Sequence, residues 1–147
     1  MVPEEGSVAD VGCGHGRLAL ALVERGHSVI ATELSQRALD LLRRDLARVP
    51  GIEGARLQTR GGDGFGSLEP GEVDVAVVAG MGGRSVVRIL DQSRWLPRCL
   101  VLQPVQDPGM VEAWVGARGW PTDSGRVVDR GREYQVWRVL VPPPVTA

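Results

Sequence analysis

The stretch Val8-Ala9-Asp10-Val11-Gly12-Cys13-Gly14-His15-Gly16 is a short apolar run that stops abruptly in three glycines on alternate positions. Four residues with Asp10 as the one polar member suit a strand buried on both faces. Glycines at 12, 14 and 16 suit a turn whose backbone must bend sharply or approach something closely. Leu18 to Glu24 follows, apolar on most sides, and Gly26 is a good stop. Strand, glycine loop and helix in that order open an α/β sheet whose ligands sit beyond the carboxyl ends of the strands.

The alternation continues outward from this unit. Ser28 to Glu33 is a second strand, and Ser35 can cap a helix in which Ala38, Leu42, Leu46 and Val49 keep a roughly helical period until Pro50-Gly51. Arg56 to Arg60 is a weaker strand leading to Gly61-Gly62-Asp63-Gly64. Val73 to Ala79 is nearly continuous in apolar residues, as the middle of a parallel sheet requires, and is expected to break at Gly80-Met81-Gly82-Gly83. Val86, Val87 and Leu90 mark the helix beyond. Cys99 to Leu102 is another buried strand, closed by Gln103-Pro104. Asp107 caps a helix with Pro108 at its first position, Val111, Trp114 and Val115 inward, and Gly119 past its end. Arg126 to Asp129 and Glu133 to Val141 are separated only by Arg130-Gly131-Arg132, which is hairpin spacing. The expectation is one domain over residues 1–141 with a loose tail at 142–147. Its fold is α/β and Rossmann-like: a mainly parallel seven-stranded sheet with a C-terminal antiparallel hairpin and helices on both faces.

Composition narrows the class. The 147 residues are 43% hydrophobic and 24% charged, an ordinary globular balance. A formal net charge of −1 excludes a strong field drawing the whole molecule onto nucleic acid or membrane, so any polyanion must meet a local patch. All 17 basic residues are arginine, and asparagine is absent. Cys13 and Cys99 make neither a disulfide framework nor a metal spacing with His15 and His27, and fit a reduced, cytoplasmic compartment. No run approaches membrane-spanning length, and the first residues lack the basic and apolar regions of a signal peptide. Oligomeric state is not legible.

The loop chooses among ligands. A pyrophosphate on a helix N-terminus calls for G-x-G-x-x-G, but position 17 is Arg17 where the last glycine would stand. Asp10, two residues before Gly12, would repel a pyrophosphate and suits an ammonium group instead. Its order, acid-x-G-x-G-x-G, is similar to the opening of S-adenosylmethionine enzymes. Glu33 ends the second strand, where a carboxylate can accept both ribose hydroxyls of an adenosine, with Leu34 beside it. Asp63 follows the third strand, beside Gly64; it is either an exposed loop acid or an acceptor for the adenine amino group. Together these give a candidate cofactor set of Asp10, Gly12, Cys13, Gly14, His15, Glu33, Leu34, Asp63, Gly64, Ala79 and Gly80, with no metal.

Methyltransferases acting on base nitrogens often carry Asn-Pro-Pro-aromatic after the fourth strand; this chain has Ala79-Gly80-Met81-Gly82-Gly83. That stretch, with Ile89-Leu90, resembles the TrmK family, bacterial tRNA methyltransferases that make N1-methyladenosine at position 22 of tRNA. Val8 to Gly12 with His15, Gly62-Asp63-Gly64, Leu102-Gln103-Pro104, Gly119-Trp120 and Glu133-Tyr134 recur in the family's order. The likeness covers roughly residues 6 to 140. Gly14 stands where the family usually has aspartate, and Gly-Asp-Gly where it usually has Gly-Asn-Gly. The family's helical segment before the first strand and its helical C-terminal extension are not in this sequence.

The resemblance implies a tRNA substrate and a class I S-adenosylmethionine fold. Catalytic candidates are then Gly80, Met81, Gly82, Gln103 and His15. Carbonyls of Ala79 and Gly80 would orient the adenine edge, Gly82 and Gly83 would let it approach, and Gln103 would donate or accept on that edge. His15 either takes a released proton or packs inertly on the loop. Cys13 reads as a loop filler and His27 as a turn residue. Arg84 and Arg88, one helical turn apart, are candidates for backbone phosphates, as are Arg37, Arg44 and Arg48 on the second helix. Rival readings are another methyl acceptor (rRNA, protein or small molecule), a non-catalytic S-adenosylmethionine- or RNA-binding module, and an NAD-dependent oxidoreductase.

Overall fold

The computed structural model describes residues 1–4, 6–52 and 56–145. Its strands are β1 (Ser7–Val11), β2 (Ser28–Glu33), β3 (Leu57–Gly61), β4 (Val75–Gly82), β5 (Cys99–Gln106), β6 (Thr122–Asp129) and β7 (Arg132–Leu140). Its helices are α1 (Arg17–Glu24), α2 (Gln36–Leu46), α3 (Gly83–Gln92) and α4 (Pro108–Arg118). The strands form one seven-stranded sheet in the order β3-β2-β1-β4-β5-β7-β6. Neighbours from β3 through β5 are parallel, and β7 runs antiparallel to both β5 and β6.

Side chains alternate between the faces of this sheet. Val8, Val29, Val75, Val77 and Val101 pack with Ala19 and Leu22 of α1, while Leu39, Leu42 and Leu46 of α2 form a small cluster with Leu57 and Ile52. Ala9, Val11, Ile30, Ala76, Val78, Leu100 and Leu102 face the other way, onto Val86 and Leu90 of α3 and Val111, Trp114 and Val115 of α4. Each sheet face thus carries a helix pair, the arrangement that parallel strands need to bury both sides.

Local chemistry sets the element ends. The Ser35 side chain accepts from the Ala38 N–H at 3.2 Å and starts α2. Leu39, not Ala38, is the residue that α2 buries beside Leu42, and Val49 lies past the end of the helix. Pro108 sits in the first turn of α4 after Asp107, whose side chain makes no capping bond. Gly119 closes that helix with φ +64°. Arg130 (φ 51°) and Gly131 (φ 76°) form the two-residue turn between β6 and β7.

Two strand ends differ from expectation. First, β4 does not break at Gly80: the strand continues to Gly82, with register shifts on either side of Met81 as Met81 pairs Pro104 and Gly82 pairs Gln106. Second, β5 likewise runs through Pro104 to Gln106. Proline is tolerated there because the pairing of β5 with β7 has already ended at Leu102↔Trp137. Residues 62–74, between β3 and β4, form a turn-rich connection that buries Phe65, Leu68 and Val73. Beyond β7, residues 142–145 are exposed and without regular structure.

Candidate active site

The glycine loop is lashed to β2. Gly12, Gly14 and Gly16 all have positive φ, a conformation that leaves glycine the natural residue at each. The N–H groups of Gly12 and Cys13 both donate to the Thr32 carbonyl at 2.9 Å. Gly14 N–H donates to Glu33 Oε2 at 3.2 Å, and Ser35 N–H to Glu33 Oε1 at 3.3 Å. The Glu33 carboxylate therefore ties together the loops that begin α1 and α2. A side chain at Gly16 would run into Leu42, so α1 and α2 meet there on bare backbone.

Asp10 lies beneath this loop, only 3% exposed. Its Oδ2 is buried without a partner among the described residues. Burial pushes its carboxyl up to about 7; the Glu33 charge adds to the rise and the Ala19 backbone N–H opposes it. A buried carboxyl without a donor is costly unless something cationic completes it. Cys13 sits half-buried nearby, its thiol pushed up to about 12 by burial and by the Asp10 and Glu33 charges. That leaves no thiolate for nucleophilic work.

Above the strand ends, Gly12, Glu33, Leu34, Asp63, Gly64 and Met81 line one cleft of about 230 Å³. Five of these come from the expected cofactor set. The sixth, Met81, was expected at the acceptor, and here its Cε would stand 2.7 Å from a Cβ added to Gly12. Asp10 does not line the cleft; Gly14 and His15 are exposed at the crest of the loop. Ala79, Gly80 and Gln103 open on the α1 face instead, into an apolar groove of about 570 Å³ shared with Leu18, Tyr134 and Val136. The expected residues are thus divided between a polar cleft and an apolar groove on the two sides of β4, with Met81 and Gly80 adjacent in sequence.

The end of β4 is held by Gln103. Gly80, at φ +77°, donates its N–H to Gln103 Oε1 at 3.1 Å, while Gln103 Nε2 donates to the Pro104 carbonyl at 3.4 Å. Gln103 is spent on shaping the bulge rather than left free to read a base edge. Gly82 is open, with nothing within 4 Å of an added Cβ. Gly83 is not a substrate approach: it is buried at the start of α3, and a Cβ there would collide with the Asp107 carbonyl. Its bareness lets α3 cross the junction between β5 and α4.

The arginines also sort differently from expectation. Arg88 faces Asp63, with Nη1 3.1 Å from Asp63 Oδ2 and 3.1 Å from Gln92 Oε1, so it belongs to the cleft and is not free for phosphate. Arg84 is exposed, as are Arg37, Arg44 and Arg48, the last lying beyond the end of α2. His27 is buried and its Nδ1 is 3.2 Å from the Gly6 carbonyl, a core histidine at the foot of β1 rather than a turn residue. Sequence reasoning missed the Arg88–Asp63 pair because 25 residues separate its members.

A methionyl-nucleoside fits this arrangement on the structure's own terms. The unpartnered Asp10 oxygen asks for a cation, and Gly12 is bare where backbone and ligand would meet. A family model described as a methyltransferase domain matches residues 1–137. The chain belongs to this methyltransferase domain family. An uncharacterized methyltransferase of Mycobacterium tuberculosis is 30% identical over 141 residues, spanning 95% of this chain and 53% of that protein. The fold is shared with the m1A22 tRNA methyltransferase TrmK of Bacillus subtilis, at TM-score 0.80 and 24% identity, over 96% of this chain and 62% of that one. It is shared too with a provisionally assigned tRNA (m1A22) methyltransferase of Streptococcus pneumoniae in complex with S-adenosyl-L-methionine, at TM-score 0.78 and 26% identity, over 97% and 69%. The chain spans about half the length of the curated mycobacterial relative it matches. Among the described residues no helix is long and apolar enough to cross a membrane.

Proposed function

We propose that this methyltransferase domain binds S-adenosylmethionine and transfers its methyl group to N1 of an adenine in tRNA. One observation carries the cofactor reading: Glu33 and Asp63, at the ends of β2 and β3, face a common cleft beside the glycine loop that covers Asp10. Glu33 would accept the ribose hydroxyls and Asp63 the adenine amino group, with Leu34 and Gly64 flanking the base. Asp10 would answer the ammonium, directly or through the loop. Bound there, the cofactor supplies a methyl group on a sulfonium, electrophilic enough for a neutral ring nitrogen.

The acceptor reading rests on the Ala79 to Gly83 and Leu102-Gln103-Pro104 stretches, which resemble the tRNA family, and on the provisionally assigned streptococcal protein. Adenine N1 keeps an in-plane lone pair, so no base need act before attack. The chain's part is then to align, to exclude water and to receive a base splayed from its stack. Gly80, held by Gln103, and open Gly82 would present backbone to that base. Met81 lines the cleft and follows directly on Gly80 of the groove, so cofactor and acceptor would meet at this pair. His15, exposed at the crest of the loop, would accept the proton released afterwards. Work on tRNA would place the protein in the cytoplasm.

Mass spectrometry of nucleosides, after incubating bulk tRNA with the protein and S-adenosylmethionine, tests the whole reading. N1-methyladenosine supports it. A different mark, or methylation of rRNA, protein or a small molecule instead, reassigns the acceptor. Cofactor binding without turnover reduces the chain to a binding module. Calorimetry tests the cofactor site separately: Asp10→Ala and Glu33→Ala should each weaken S-adenosylmethionine binding, and unchanged affinity in both rejects the site.

A further inference from the structure

The cleft holds one cation that the cofactor reading does not use. Arg88 reaches from the middle of α3 to the connection after β3, placing Nη1 within 3.4 Å of both Asp63 oxygens, and Gln92 one turn further on holds the same nitrogen at 3.1 Å. Gly64, next to Asp63, is packed so closely on α3 that an added Cβ would stand 3.0 Å from Ile89 Cγ2. The β3 connection and α3 are thus fitted to each other, and the pair spans their seam. Arg88, Asp63 and Glu33 all line the same cleft.

Before any ligand binds, Asp63 is half-exposed, its side chain 46% accessible, and water can solvate it. A flat base laid against it removes that water. The amino group of adenine is a neutral donor and cannot alone replace the hydration of a full carboxylate charge. We propose that Arg88 is a positioning and specificity residue for the cofactor's base: it stays paired with Asp63 in the complex and serves as the counter-ion that lets the carboxylate be covered by adenine. The inference rests on the adenosine site proposed above and assigns that site a charge-neutral wall. Glu33, which would face two ribose hydroxyls, has no such cation among the described residues and keeps its charge toward the open side.

The assignment makes the need for Arg88 conditional on the charge at position 63. Asp63→Asn keeps a carbonyl acceptor for the amino group and abolishes the charge, so it removes the need for a counter-ion. Binding of S-adenosylhomocysteine to the full chain, measured by calorimetry, reads this as a double-mutant cycle. Arg88→Met and Arg88→Gln should each weaken binding about tenfold, the size of one lost charge-assisted contact. In the Asp63→Asn background the same changes should alter affinity less than about twofold. Equal losses in both backgrounds would overturn the inference, since Arg88 would then touch the ligand on its own account. Unchanged or tighter binding by both single variants, as expected if the pair merely blocks Asp63, overturns it as well. If the unsubstituted chain does not bind S-adenosylhomocysteine at all, the cofactor reading itself fails, a result distinct from either of these.

Discussion

At the scale of single residues, Asp10 is the group whose chemistry departs furthest from its ordinary behaviour. Burial lifts its carboxyl to about 7, so the folded protein retains a proton that the unfolded chain releases near pH 4. The contribution of Asp10 to stability is therefore greatest in acid, declines as pH rises from about 4 through 7, and levels off above that, with a change of a few kcal/mol. Thermal unfolding of the ligand-free protein should show a melting temperature that falls between pH 5 and pH 8, and Asp10→Asn should flatten the slope. A profile just as steep in the variant would assign the proton elsewhere. An ammonium-bearing ligand, which favours the ionised form, should bind more tightly as pH passes 7. At Gly83 the constraint is one of space. Gly83→Ala must push either α3 or the Asp107 backbone aside, and a loss of about 2 kcal/mol or more in denaturant unfolding is expected. Gly82→Ala, with open space around it, should be nearly neutral to stability.

Among elements, the β6–β7 hairpin offers the cleanest test. Its turn places Arg130 at φ 51° and Gly131 at φ 76°, a conformation that glycine and asparagine adopt more readily than arginine. Arg130→Asn should stabilise the protein by about 0.5 kcal/mol, read as a shift of the urea midpoint at unchanged slope. Helix α4 depends on Trp114. Its indole N–H donates to Asp91 Oδ1 at 2.9 Å, Arg118 lies 3.6 Å over its ring, and Trp120 meets it edge-on at 5.9 Å. Trp114→Ala should cost about 3–5 kcal/mol. Elements of this kind were readable from the sequence in proportion to how local their cause is. The strand β2 and the inward residues of α4 follow from apolar runs and helical period alone. The ends of β4 and β5 do not: Gly80 to Gly82 and Pro104 carry loop signals, yet pairing between the two strands draws them into the sheet. In the site, Glu33, Leu34, Asp63 and Gly64 were legible because strand ends in such a sheet converge. The Met81 contact, the Gly83 crossing and the Arg88 pair were not, since each joins segments distant along the chain.

At the scale of the whole molecule, charge is nearly balanced and a minority of the arginines is engaged with acids. Arg60, Arg88, Arg118, Arg126 and Arg138 all stand in ion pairs. Arg37, Arg44, Arg48 and Arg84 are exposed and outside these pairs, so a tRNA bound by this chain would meet its phosphates at local patches. If these four are the phosphate contacts, the logarithmic salt dependence of its affinity should correspond to about four contacts or fewer, and a much steeper slope would bring in further arginines. Strand order has a further consequence, for synthesis. Residues 7–11 are made well before β4 but lie between it and β2 in the sheet, and β1 pairs with β4 in a register that begins at Val8↔Val75. The nascent chain must keep β1 half-sheltered, against β2 alone, until the whole segment through β4 has followed it out of the ribosome. Slow translation between these two strands lengthens the interval in which a sticky edge is bare; rapid passage through that region, or a chaperone holding it, is what would keep newly made copies from clumping.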